Sequence, residues 1–382
     1  MKRDRILWLF GIGLAVMTLS ACGQIDDDLS DCVPPGPGPD PVEEFELNYE
    51  LKLVTNMTTE LQTQLNTVSE IEVSDALKSH LEGVFIGYAH DVDLSFYDTQ
   101  LDSVRLHHES HIMNDSTGSY TLNLPMREYI HLASANIVDN SSVSLVDDDN
   151  CHSAHLLQVS GDTINSHETG LFAARATMRV MENVDQTFDV KLYMANAAAA
   201  LVVDTTDVKI KSLRVYTHGF ATEFMMADSA FVYPEQSPYV RATQLAVSDT
   251  LNQISLCTVN FPSRNPNGWW IREKTDNSAV DNGLGVVHHG RYALTRAEGE
   301  IIPEGNWDEN SETLWEYVIF VTLEDGSITK TTLEMKEPLL AGEMKIIKGR
   351  MDAKGVVQPT DVTVGVSVTL DWNQGMDFNT EL

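Results

Sequence analysis

The chain has 382 residues, 25 of them Lys or Arg and 57 Asp or Glu, for a formal net charge of −32. Such a charge repels phosphate and anionic head groups, which excludes nucleic acid as a partner, and it favours solubility. Hydrophobic residues make up 42%, an ordinary share for a globular protein, and the length exceeds what one sandwich core fills, so two domains are expected.

The first element is a leader over residues 1–21. Lys2, Arg3 and Arg5 precede an apolar stretch from Ile6 to Leu19, and the segment ends Leu19-Ser20-Ala21-Cys22. A basic start, an apolar run too short to span a bilayer and small residues before a cut describe a signal peptide; the cysteine after the cut makes it a lipoprotein signal. Cys22 is the expected acylation site, where two or three chains give stable anchoring. Cleavage removes Lys2, Arg3, Asp4 and Arg5, so the mature charge moves from −32 to −34. A tether over 22–44 follows. It begins with Asp26, Asp27 and Asp28, a run similar to the surface-export signal of Bacteroidota lipoproteins, which implies the outer leaflet of the outer membrane; a solvated acidic tether reads the same way. Val33 to Pro41 holds five prolines, which favour an extended spacer of roughly 3 Å per residue.

The body opens on a strand. Phe45, Leu47, Tyr49, Leu51 and Leu53 alternate with Glu46, Asn48, Glu50 and Lys52, a period of two. Ser74 and Asp75 read as an N-cap for a short helix with Leu77 and Leu81 on one face. Val92, Leu94 and Phe96 alternate, as do Val104 and Leu106, then Tyr120, Leu122 and Leu124, with turn residues between the runs. Residues 138–166, centred on Asp147-Asp148-Asp149-Asn150, read as a long exposed loop. Strands resume at Phe172 to Val180 and Phe188 to Met194. The spacing predicts a β-sandwich over 45–180 and a second over 181–382. In the latter, Val208 to Tyr216 and Ala221 to Tyr233 are strand-like. Trp315 to Leu323 and Ile328 to Leu333 flank Glu324-Asp325-Gly326-Ser327, a hairpin for which Asp-Gly predicts a type I′ turn. Residues 262–312 are rich in Gly, Asn and Pro and hold Trp269, Trp270 and Trp307. The last run is the most regular: Val362, Val364, Val366, Val368, Leu370 and Trp372 alternate with small polar residues.

Few residues suggest chemistry. With Cys22 lipidated and Cys32 in the tether, Cys151 and Cys257 are the expected pair for one internal disulfide. Cys151, His152 and His155 are a weak candidate metal set, against a polar loop with an oxidised cysteine. His108-Glu109-Ser110-His111 is one residue short of the helical zinc spacing and reads as a strand edge. Asp91 and Asp93 suit either calcium or a solvated strand edge. Trp269-Trp270 suggests an aromatic platform for sugar rings, although adjacent strand residues face opposite sides and one then belongs to a core. Gly283, Gly285 and Gly290 lack the dinucleotide spacing. No nucleophile, acid–base pair or cofactor motif stands out, so neither an enzyme nor a cofactor is expected.

The opening Ile25 to Cys32 resembles FimB-like fimbrial anchor lipoproteins of Bacteroidota. So do Tyr120-Thr121-Leu122-Asn123-Leu124-Pro125 with Tyr129, His167 to Phe172, Leu192 to Asn196, Pro338 to Glu343 and Val364 to Gly375. The resemblance implies two transthyretin-like β-sandwich domains behind a lipidated tether, at the base of a surface fimbrium. It also implies fimbrial subunits as partners, joined by strand addition, in which a subunit loses its first strand to proteolysis and accepts a neighbour's. Here the first strand is joined to the lipid, and no Arg occurs between Arg5 and Arg105. The expected contact is therefore an offered strand, Val362 to Trp372, with the tail after it, or the tail alone where Val362 to Leu370 closes the second sandwich. The alternative function is a surface glycan-binding lipoprotein using Trp269 and Trp270.

Overall fold

The computed structural model describes residues 43–54, 71–84, 91–138, 140–182, 184–234, 237–248, 252–265, 280–281, 286–289, 313–360 and 364–369. Cys22, Asp26, Asp27, Asp28, the proline tether, Trp269 and Trp270 lie outside them, as do Val362, Leu370 and Trp372. The first half contains β1 (Glu44–Val54), α1 (Ile71–Val84), β2 (Val92–Asp98), β3 (Arg105–His111), β4 (Thr117–Pro125) and β5 (Glu128–Ala135). Three short strands, β6 (Val143–Val146), β7 (His155–Gln158) and β8 (Thr163–Asn165), then precede β9 (Phe172–Arg179) and β10 (Gln186–Met194). The segment expected to be a bare loop over 138–166 thus carries three strands.

The second half contains β11 (Ala197–Asp204), β12 (Ile210–His218), β13 (Glu223–Met225), β14 (Ala230–Val232), β15 (Tyr239–Arg241), β16 (Thr243–Ser248) and β17 (Gln253–Asn260). It continues with β18 (Val280–Asp281), β19 (Val286–His289), β20 (Trp315–Leu323), β21 (Ile328–Met335), β22 (Met344–Met351), β23 (Val357–Pro359) and β24 (Val364–Thr369). Apart from α1, the described elements are strands, so the chain is all-β as expected. The helix starts at Ile71 rather than at the anticipated Ser74 cap, but Leu77 and Leu81 are fully buried as the spacing requires.

The first sheet runs β4-β1-β10-β9-β5-β2-β3, with β18 and β19 added alongside β10. It is not flat. Neighbouring strands lie about 4.8 Å apart, so β1 and β5, separated by β10 and β9, would be roughly 14 Å apart in a plane. Instead Tyr49 Oη and His131 Nε2 are 2.7 Å apart. The sheet therefore rolls over itself, and the inward residues of β1 and β2 share a core with Leu122, Phe172 and Phe188.

Two further sheets, β16-β17-β11-β22-β23 and β24-β21-β20-β12-β15-β8, enclose Leu201, Val203, Leu256, Trp315, Tyr317 and Ile347. The five-stranded sheet is a middle layer. Ala198 and Ala200 of β11, with Cys257 and Val259 of β17, face the first core, while Ala199, Leu201, Ile254 and Leu256 face the second. With both faces covered, these strands have no reason to alternate, and β17 is buried along its whole length. A small sheet, β14-β13-β7-β6, closes a third cluster around Phe224 and Phe231. The expected boundary at residue 180 falls between β9 and β10, both in the first sheet. The chain passes to the middle layer between Met194 and Ala197, and Glu44–Leu382 forms one compact unit.

The β20–β21 hairpin forms with the expected strands, but only Gly326 has positive φ (88°). A type I′ turn needs two such residues, so the Asp-Gly pair closes a different turn, with Gly326 N–H donating to Leu323 O at 3.0 Å. Gly219 is the tighter requirement: at φ 97° an added Cβ would sit 2.9 Å from both Leu314 O and Trp315 Cα, so no larger residue fits there.

Candidate functional site

Two strands bear on how this chain could join a neighbour: β1, which follows the tether, and β24, the last strand described. In β1 the alternating sequence becomes alternating burial, with Leu47, Tyr49, Leu51 and Leu53 between 0% and 5% exposed while Glu46, Asn48 and Glu50 face solvent. Burying each such apolar side chain is worth about 2 kcal/mol. The strand is paired on both sides over Asn48 to Lys52: Asn48 to Val54 match Thr187 to Tyr193 of β10 in parallel, and Glu44 to Lys52 match Pro125 to Thr117 of β4 antiparallel. A strand so placed leaves a slot between β10 and β4 if removed.

A polar clasp fixes its register. His131 on β5 donates its Nδ1–H to Ser95 O at 3.0 Å, which leaves Nε2 to accept the Tyr49 hydroxyl. The ring stacks on Phe96 with centroids 4.3 Å apart. Burial lowers the His131 pKa to about 4 and raises that of Tyr49, so both stay neutral at pH 7. This pair was not read from the sequence. The available signal was Tyr49 at an inward position of β1, which needs a buried partner for its hydroxyl.

At β24 the arrangement differs. Lys330 to Met335 of β21 pair antiparallel with Thr369 to Val364, and among the described strands β24 ends its sheet. Of the six candidate contact residues, Val364, Val366 and Val368 lie on this edge strand. The other described edge of interest is β3, which closes the first sheet. There the period of two holds but the expected faces are exchanged. Leu106 is 42% exposed, as is neighbouring Val104 at 46%, whereas Arg105, His107, Glu109 and His111 are half-buried. The Glu109 carboxylate accepts from His107 Nε2 at 2.7 Å and His111 Nε2 at 2.9 Å, and Asp93 pairs with His108 at 2.6 Å. The His108 to His111 run is thus part of a strand edge, as read.

The remaining candidates separate. Cys151 and Cys257 are buried free thiols in different hydrophobic clusters, so the expected bridge between them is absent. Burial raises their pKa to about 11 and about 12, which keeps both protonated and unreactive. Cys151 packs inward, His152 Nε2 lies 3.3 Å from Ser103 Oγ, and His155 Nδ1 donates to Ser153 O at 2.7 Å, so the three do not converge on a metal. Among the described residues no group of three or more His, Cys, Asp or Glu is placed to hold one. Asp91 accepts backbone N–H groups of Ile137 and Val138 at 3.0 and 3.2 Å, which ties it to a turn. Asp98, fully buried, pairs with Arg127 and accepts Gln100 N–H at 2.7 Å.

No family model matches the sequence, and no curated protein matches it. Solved structures of similar outline exist at low identity. A candidate adhesin from Bacteroides thetaiotaomicron is 8% identical over 87% of this chain and 100% of its own, with a TM-score of 0.47. The fimbrial anchor protein Mfa2 from Porphyromonas gingivalis is 9% identical over 86% and 99%, with a TM-score of 0.42. A candidate polysaccharide-binding protein from Bacteroides thetaiotaomicron is 7% identical over 85% and 96%, with a TM-score of 0.43. At such identities and scores the likeness does not extend to function.

Proposed function

We propose that this chain is a lipoprotein of the outer membrane, facing the cell surface, that serves as an anchor or accessory subunit of a fimbrium. Cys22 carries the lipid, Asp26, Asp27 and Asp28 direct export to the surface, and the proline tether lifts the body from the membrane. The observation that carries the reading is β1. It follows the tether directly, is paired on both sides, and is clasped by His131, so the subunit keeps its own first strand and joins the polymer through another element. The last strand and the tail after it are that element, since among the described strands β24 ends its sheet, at an edge where a neighbour's backbone can add. The body is organised as two tandem transthyretin-like sandwiches that meet near the change of sheet at Met194 to Ala197. No step in this role needs a catalytic group.

The lipid is tested first. Cys22→Ala is expected to give unprocessed or soluble protein; a variant that still takes up labelled fatty acid and partitions into detergent contradicts the anchor. Replacing Asp26, Asp27 and Asp28 with Ala is expected to leave the protein lipidated but protected from protease added to cells. Unchanged accessibility would remove the export signal from the account.

A further inference from the structure

The six-stranded sheet is dry on both faces at its centre, yet the described elements account for one face only. Val215, Tyr317, Ile319, Val321 and Leu333 point into the second core. On the opposite face Tyr216, Val318 and Phe320 are each 1% exposed and form a cluster of their own. Its apolar neighbours among the described residues, Tyr239 and Ile328, stand on β15 and β21 of the same sheet. Among the described elements outside the sheet, β17 and β23 approach it most closely. Their bonds, Thr217 Oγ1–H to Thr258 Oγ1 at 3.3 Å and Val357 N–H to Thr331 Oγ1 at 3.2 Å, lie on the core side. Side chains stand roughly perpendicular to a sheet, so neighbours within the sheet shield their flanks and not their tops. A bare outer face looks different: Leu106 on β3 is 42% exposed. Burial to 1% across Tyr216, Val318 and Phe320 therefore requires a second layer.

Two observations name that layer. The first is the path of the chain. Residues 290–312 follow β19 and lead into Thr313, just ahead of β20, the strand that carries Val318 and Phe320. Trp307 lies six residues before Thr313, a reach of about 20 Å. Val318 lies five residues after it, about 17 Å along the chain, so the segment is long enough to double back over the face. The second observation is charge. Phe320 is flanked in register by Arg214 and Lys330, with the Arg214 guanidinium 5.7 Å from the ring centre. Glu316 and Glu334 lie on the Thr313 side of Val318, so the cationic end of the face is local to Phe320. Glu298 to Glu309 interleaves Ile301, Ile302 and Trp307 with five carboxylates and no Lys or Arg, which complements an apolar centre flanked by cations. Pro266 to Ala279 carries Trp269 and Trp270 but balances Arg272 and Lys274 against Glu273 and Asp276, so it offers no such match.

We propose that residues 290–312 form this second layer, with Ile301, Ile302 and Trp307 against Tyr216, Val318 and Phe320. The inference does not depend on the fimbrial role proposed above, and it leaves the six-stranded sheet its edge, not its face, for contact with other subunits. Thiol labelling of the mature lipoprotein in detergent tests it. In a Cys32→Ser background, Thr332→Cys places a thiol on the outer face opposite Val318, while the buried Cys151 and Cys257 report opening of the whole body. Replacing residues 290–312 by a Gly-Ser stretch of equal length, and Trp307→Ser alone, are each expected to speed maleimide labelling of the introduced thiol at least about tenfold, with Cys151 and Cys257 still protected. Trp307→Phe is expected to keep the slow rate. Trp269→Ser with Trp270→Ser, and deletion of residues 373 to 382, are expected to leave it unchanged. An unchanged rate in both variants of 290–312 overturns the proposal. Acceleration confined to the Trp269 and Trp270 pair assigns the layer to 266–279, and acceleration confined to the tail deletion assigns it to the tail; either result overturns it. A wild-type rate that rises on dilution assigns the layer to a second copy and does the same. So does labelling of Cys151 and Cys257 in step with the introduced thiol in both variants, which means that the whole body opens and not this face.

Discussion

β1 and β24 have nearly the same sequence signature, apolar side chains at every second position, yet they occupy opposite situations. β1 is enclosed by β10 and β4 and packs face to face on β5, whereas among the described strands β24 pairs with β21 alone and ends its sheet. Alternation reports that a strand has one dry face. It does not report how many neighbours the backbone has, because hydrogen bonding in the sheet plane leaves no trace in side-chain polarity. The functional division follows from that second property: a strand paired on both sides holds the body together, and a strand at an edge is free to meet a partner.

The largest expected effect is on the enclosed strand. Tyr49→Ala removes a fully buried ring and leaves His131 Nε2 without its donor, and it should cost about 3–5 kcal/mol in urea unfolding. A loss below about 1 kcal/mol would mean that β1 is not part of the cooperative core.

Acidification probes the same clasp. His131 and His167 have folded pKa values of about 4 and about 3, below the value near 6.5 of an unfolded histidine. The unfolded chain thus binds protons that the folded chain refuses. The stability from these rings is present above pH 6.5 and is lost as pH falls toward 4, by about 1.4 kcal/mol per pH unit for each ring. Tyr49→Phe combined with His131→Leu removes one ring and its partner hydroxyl. Denaturant unfolding between pH 6 and 4.5 should then be shallower by about that amount per unit. An unchanged slope would place the titrating groups elsewhere.

The smallest effect on stability is expected at the other end of the chain. Deleting residues 373 to 382 should change unfolding by less than about 0.5 kcal/mol, while fimbriae are shed into the medium. Cells that keep normally anchored fimbriae after this deletion exclude the tail as the joint.

What the sequence disclosed follows the same line. Strands with a wetter outer face, β1, β4, β9 and β10, were legible in the sequence, as was the buried stripe of α1 at Leu77 and Leu81; β2 and β20 were legible from apolar residues at every second position although both of their faces are almost wholly buried. β11 and β17 were not, because a middle layer is dry on both faces; the run of alanines from Ala197 to Ala200 carries no period. β6, β7 and β8 are three or four residues long, too short for a period to emerge from a polar segment. β3 was found but turned over: its half-buried face holds Arg105, His107, Glu109 and His111, which satisfy one another or Asp148, while Leu106 faces water. The proposed bridge between Cys151 and Cys257 came from counting cysteines, which contains no distance, and the two thiols belong to separate cores. The Tyr49–His131 clasp joins residues 82 apart in sequence, and only the rolled sheet brings them together.

The central claim is that β1 stays in its slot when the subunit joins a fimbrium, and a covalent lock tests it most directly. Glu46 and Asn123 are exposed partners in the β1–β4 register. Glu46→Cys with Asn123→Cys, oxidised on cells before fimbriae assemble, ties the strand to its neighbour. Cells carrying the locked protein are expected to display and retain fimbriae at the wild-type level, with the cross-link intact in the attached material. Loss of attached fimbriae on locking, restored when the disulfide is reduced, would show that β1 must leave its sheet and would contradict the account.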